Sequence, residues 1–80
     1  MPTKSVAVGS AVGLHARPAA IIAEKAGELG TDVTINGVDA SSSLMIMTLG
    51  AGNGETVEVA GDDQAAVDAI AALVEQDLDV

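Results

Sequence analysis

Two periodicities alternate along the chain. Lys4-Ser5-Val6-Ala7-Val8 repeats every second residue, which predicts a strand with Val6 and Val8 turned toward a core. Residues 9–13 are small and loop-like. From Ala16 the period lengthens, and Ala19, Ile22, Ala23, Ala26 and Leu29 fall on one helical face that Gly30 ends. Alternation returns over Asp32 to Ile35. Asn36-Gly37 is a hairpin turn signal, so Val38 to Ala40 is predicted to return as a second short strand. Ser41, Ser42 and Ser43 offer N-caps for a short apolar helix, Leu44 to Leu49, stopped by Gly50. A turn-rich loop, Gly50 to Gly54, precedes a strand over Thr56 to Ala60. Asp62 is the expected cap of a last helix that buries Val67, Ile70, Ala71, Val74 and Leu78.

The predicted order is strand, helix, strand, strand, short helix, strand, helix. A single four-stranded antiparallel sheet with three helices on one face fits it, an α+β class. Repeats, linkers and low-complexity tails are lacking, and 80 residues suit one domain over residues 1–80.

Composition narrows the chemistry. The chain holds no Cys, Phe, Trp or Tyr, so disulfides are excluded and the core must be built from Ala, Val, Ile, Leu and Met. With one His and no Cys, a metal site is not expected. Twelve acids face only Lys4, Arg17 and Lys25, for a formal net charge of -9. Such a chain repels phosphate backbones and anionic membranes, and it lacks aromatic platforms for stacking bases. Nucleic acid and membrane insertion are therefore not expected. At 49% hydrophobic it is too apolar for disorder, yet it has no spanning apolar run. Met-Pro-Thr-Lys does not open a signal peptide, so the expected location is the cytoplasm.

The stretch with chemical content is Gly13-Leu14-His15-Ala16-Arg17-Pro18-Ala19-Ala20. Pro18 belongs in a first helical turn, where its missing N–H costs nothing. That puts His15 at or just before the N-cap. The first-turn amides, those of Ala16 and Arg17 especially, then combine with the helix dipole into an anion site. Arg17, the chain's single arginine, adds a fork-shaped donor suited to phosphate oxygens. This constellation supports acceptance of a phosphoryl group by a neutral imidazole, a reaction that needs mainly positioning and charge neutralisation. The bland alternative is an ordinary polar residue at a helix start. Gly50 to Gly54 is not a nucleotide loop, because phosphate-cradling loops follow a strand and open a helix.

Gly13-Leu14-His15-Ala16-Arg17-Pro18-Ala19 resembles the active-site signature of HPr proteins, the histidine phosphocarriers of the phosphoenolpyruvate-dependent sugar phosphotransferase system. Asp39-Ala40-Ser41-Ser42-Ser43-Leu44-Met45-Ile46-Met47-Thr48-Leu49-Gly50 resembles the family's second signature, which runs through a short helix into Leu-Gly. Length and element order agree, so the resemblance covers nearly the whole chain.

The resemblance implies an open-faced β-sandwich of βαββαβα order. It implies that His15 is phosphorylated on Nδ1 by phospho-enzyme I and passes the group to enzyme IIA domains of sugar permeases. Arg17 would stabilise the phosphate, with the amides of Ala16 and Arg17 as oxygen donors. No cofactor is implied, and the protein would be a stoichiometric carrier, not an enzyme, most simply a monomer. The family's docking surface maps onto Ala20, Ile21, Leu44, Met45 and Met47; core packing is the competing account of the methionines, whereas Ile46 and Leu49 suit the core. The family's regulatory serine aligns with Ser42. Ser41 and Ser43 depart from the lysine and apolar residue common there, and helix capping is the preferred account of the three serines. Glu24 stands where some members have a lysine. A regulatory paralogue (a nitrogen-type relay or a regulator that binds other proteins) and a small ligand-binding module are the alternatives to the sugar carrier.

Overall fold

A computed structural model of the chain describes residues 2–78; Met1 of the opening segment and the last two positions of the expected domain lie outside them. The elements are β1 (Thr3–Ala7), α1 (Ala16–Leu29), β2 (Val33–Ile35), β3 (Val38–Asp39), α2 (Ser43–Thr48), β4 (Thr56–Gly61) and α3 (Gln64–Glu75). The βαββαβα order is the one the periodicities predict.

The four strands form one antiparallel sheet in the order β1-β4-β2-β3. Strand alternation sorts its two faces. Val6 lies opposite Val57, Ile35 opposite Val59, and these residues with Val33 are buried beneath the helices. Ser5, Ala7, Thr56 and Glu58 point the other way and stay exposed, which leaves the sheet open on that side. Helix α3 packs across β1 and β4, and α1 packs on both α3 and α2. The largest fully buried side chains are isoleucines, Ile22, Ile35, Ile46 and Ile70, interleaved with valines and alanines. With no aromatic residue to fill volume, small residues such as Ala19 and Ala71, both 0% exposed, close the gap by bringing backbones near. Neither Met45 nor Met47 is a fully buried core residue; Met47 packs against the core from its edge.

Asn36 and Gly37 take φ of 48° and 84°, the left-handed pair that a two-residue hairpin needs. The turn also docks on the neighbouring strand. Asn36 donates its backbone N–H to the Glu58 carbonyl at 2.8 Å, and its Oδ1 accepts from the Glu58 N–H at 2.8 Å.

Several boundaries differ from the sequence reading. β1 ends at Ala7; Val8 lies past it but is buried, donating to the Glu55 carbonyl at 2.8 Å. β3 stops at Asp39, and Ala40 turns inward to a fully buried position. Ala23, Leu29 and Leu49 are only partly buried. The cap of α3 is Asp63, not Asp62, because β4 runs on through Gly61 to pair with Val33 and leaves Asp62 as the link. Leu78 is not on the helix. α3 ends at Glu75, Gln76 is extended, and Leu78 folds back against the core.

Candidate functional site

The geometry around His15 begins with the loop that delivers it. Leu14 is an anchor, 3% exposed, whose N–H donates to the Ala51 carbonyl at 2.9 Å. Gly13 precedes it at φ +81°, and a Cβ there would lie 2.3 Å from the Ala51 carbonyl oxygen. Only glycine fits that contact. The loop before α1 therefore lies directly on the 50–54 loop, backbone against backbone.

His15 is the N-cap residue of α1, extended at φ -87° and ψ -165°, and its side chain makes no capping hydrogen bond to the helix. Its carbonyl accepts the first helical bond, from the Ala19 N–H at 2.9 Å. Ala16 and Arg17 are the first two helical residues and Pro18, buried, is the third. The amides of Ala16 and Arg17 thus belong to the set that has no acceptor within the helix. His15, Ala16 and Arg17 are all exposed. Among the described residues Arg17 makes no ion pair; the pair present is Lys4 with Asp68, 3.9 Å apart and half-exposed. His15 and Arg17 thus stand two residues apart, both exposed, at the positive end of the α1 dipole. Two hollows, of about 180 and 260 Å³, lie elsewhere; their linings include Asp32, Asp39 and Ser41 in one and Ile21, Glu24 and Leu73 in the other.

Helix α2 contributes an apolar patch beside α1. Leu44 is 67% and Met45 44% exposed, whereas Ile46 is fully buried. Ala20 is exposed and Ile21 half-buried on α1. Met47 is half-buried against the core, so packing accounts for much of it. Val12 is 69% exposed in the loop just before His15 and joins the exposed apolar residues of the molecule. No periodicity marks Val12, since it lies in a segment that reads as plain loop.

Ser42 is the N-cap of α2, its Oγ accepting from the Met45 N–H at 3.3 Å, which is the capping role expected of it. Ser41 instead donates both its N–H and its hydroxyl to Asp39 Oδ1, at 2.9 and 2.7 Å. Those two bonds hold the Asp39 carboxyl below the usual carboxylate range.

The family model described as the PTS HPr component phosphorylation site matches residues 2–76. The chain belongs to the HPr family. Its similarity extends to the phosphocarrier protein HPr of Streptomyces coelicolor, 40% identical over 87 residues that span 99% of this chain and 94% of that protein. The HPr-like protein Crh of Halalkalibacterium halodurans is 32% identical over 96% of this chain and all of its own length. The phosphocarrier protein NPr of Shewanella violacea is 36% identical over 95% of this chain and 91% of its own. Among solved structures, HPr-C-His from Thermoanaerobacter tengcongensis superposes with a TM-score of 0.84 at 28% identity, covering 94% of this chain and 92% of that one. The open-faced sandwich is thus the HPr fold, and members of the family work with other components of the phosphotransferase system.

Several contacts that sequence reasoning missed hold the loop before His15. Ser10 is the buried polar residue among the described residues, 0% exposed. Its Oγ donates to the Gln76 carbonyl at 3.4 Å and accepts from the Leu78 N–H at 3.2 Å. Gly9 donates to the Val74 carbonyl at 2.9 Å. Asn53 reaches the same loop from the other side. No local pattern announces these partners, which are more than forty residues apart in the chain.

Proposed function

We propose that this protein is a phosphocarrier that takes a phosphoryl group on His15 from phospho-enzyme I and gives it to enzyme IIA domains of sugar permeases. The observation that carries the reading is an exposed histidine at the start of α1 whose side chain does not cap the helix, with exposed Arg17, which makes no ion pair among the described residues, two residues on. In the forward step Nδ1 of His15 forms a bond to phosphorus as the donor's N–P bond breaks. The electron pair of the broken bond returns to the donor nitrogen. The same step in reverse sense loads the acceptor. Arg17 and the amides of Ala16 and Arg17 neutralise the three oxygens, so the chain supplies positioning and charge, not acid–base chemistry.

The helix-end term is of order ~0.3–1 kcal/mol at an exposed site, small enough that the group leaves as readily as it arrives. Ala20, Ile21, Leu44 and Met45 form the docking surface, and half-exposed methionine suits a face that meets more than one partner. The protein acts as a single-domain cytoplasmic monomer, a stoichiometric carrier without a cofactor. A second reading within the family, a regulatory or nitrogen-type paralogue, draws on the likeness to relatives named Crh and NPr.

The test supplies phosphoenolpyruvate and enzyme I to the wild type and to His15→Ala. Acid-labile phosphate on the wild type alone is expected. Equal labelling of both proteins, or of neither with cognate enzyme I, overturns the reading. Transfer onward to an enzyme IIA domain separates the sugar carrier from a regulator that is phosphorylated without passing the group on.

A further inference from the structure

Asn53 sits in the loop between α2 and β4, a segment with no assigned chemistry. Its side-chain amide nitrogen lies 3.1 Å from the Ser10 carbonyl oxygen, 3.3 Å from that of Gly9 and 3.5 Å from that of Val8. Three successive carbonyls converge on one point only if the chain curls, and like-oriented carbonyl dipoles resist that curl unless a donor sits at its centre. An NH2 group with two hydrogens shared among three acceptors is such a donor. The carbonyl end of the same amide could not occupy that point.

The clamp connects to His15 by a short path. The Ser10 carbonyl that Asn53 holds also accepts from the Gly13 N–H at 3.0 Å. Leu14 then donates to Ala51, two residues before Asn53. The residue that carries the imidazole therefore leaves a loop pinned on both flanks by residues 51 and 53. Among the described residues Asn53 is the one side chain of the 50–54 loop that hydrogen-bonds residues 8–14. We infer that Asn53 is a positioning residue for phosphoryl transfer: it sets the curl of residues 8–13 and through it the angle at which His15 meets a partner's phosphohistidine. This inference rests on the reading of His15 as the phosphoryl acceptor.

The test compares wild type with Asn53→Asp, which keeps the shape but puts a carboxylate against three carbonyls, with Asn53→Ala, and with Asn53→Gln, which keeps the donor. Transfer from phospho-enzyme I is followed across protein concentration, together with thermal midpoints and the NMR shifts of the His15 ring. Misplacing reacting atoms by a fraction of an ångström should slow the maximal transfer rate about tenfold in the Asp and Ala variants, with the half-saturating concentration little changed. The Gln variant recovers part of that rate, and the His15 ring shifts move in step with it. Unchanged maximal rates in the Asp and Ala variants overturn the inference. So does a rate loss accounted for by the unfolded fraction alone, with the His15 shifts unmoved. If the wild type itself accepts no phosphate, the carrier reading fails. The positional claim is then judged by the ring shifts, which must move in Asp and Ala and return toward wild type in Gln.

Discussion

The beginnings of α1 and α3 are built from the same backbone geometry and finished differently. Both N-cap residues are extended, His15 at φ -87° and Asp63 at φ -110°, and each carbonyl accepts the first helical bond. At α3 the Asp63 carboxylate accepts the Ala65 N–H at 2.9 Å, closing the helix end on itself. Helix α2 does the same with Ser42. At α1 the cap position holds a side chain that does not cap, and Pro18 in the first turn removes one of the amides that would need a partner. A capped end gains stability; an uncapped one keeps donors and dipole available to an incoming anion. Two helix starts are closed by a side-chain cap, and the start of α1 is not.

That contrast can be broken in order of effect. The largest expected change is the total loss of acid-labile phosphate in His15→Ala, with the far-ultraviolet circular dichroism of the wild type retained. Loss of structure in that variant would assign His15 to folding instead. Arg17→Ala should slow transfer on the order of 10²-fold, the cost typical of removing one charge-stabilising donor, while the first helix persists. A melted α1 would give Arg17 a structural role.

The stability side of the comparison predicts smaller effects. Asp63→Ala should cost ~1 kcal/mol in urea unfolding and leave the phosphoryl transfer rate alone, because its cap serves only α3. His15→Asp should run the other way: no phosphate acceptance, but a gain of roughly 0.5–1 kcal/mol as α1 acquires a cap. A stability loss there would show that the imidazole contributes more to folding than the open helix end costs.

The smallest effect is one of pH. Two bonds from Ser41 hold the folded Asp39 carboxyl below its unfolded range, so their stabilisation is present above about pH 4. It is lost as pH falls through the lower folded value. Ser41→Ala should therefore show a shallower fall of thermal midpoint below about pH 4 than wild type. Parallel curves would remove Ser41 as the cause.

How much of this was legible in the sequence depended on range. The left-handed backbone of Gly30 and of Asn36-Gly37 and the cap made by Ser42 are local features, and each does what local rules expect of it, whereas the bonds from Asn36 to Glu58 are not local. Asp62 failed as a cap for a reason no local rule holds: pairing of Gly61 with Val33 extended β4 by one residue and moved the helix start. Met45 and Met47 were inseparable by composition. Their places on a six-residue helix, one toward solvent and one against the core edge, separated them.

Periodicity and capping chemistry by themselves determined the order of the seven elements, most of the buried face of α1 and α3 and the position of His15 and Arg17 at a helix start. These follow from interactions within a turn or two of backbone, which any short window of residues contains. The strand order β1-β4-β2-β3, the bed of residues 50–54 under the His15 loop, the buried hydroxyl of Ser10 and the reach of Asn53 were decided only by the tertiary structure. Alternation says which side of a strand faces inward but not which strand lies beside it. A side-chain amide's partners are likewise unknown until distant carbonyls are folded into its reach.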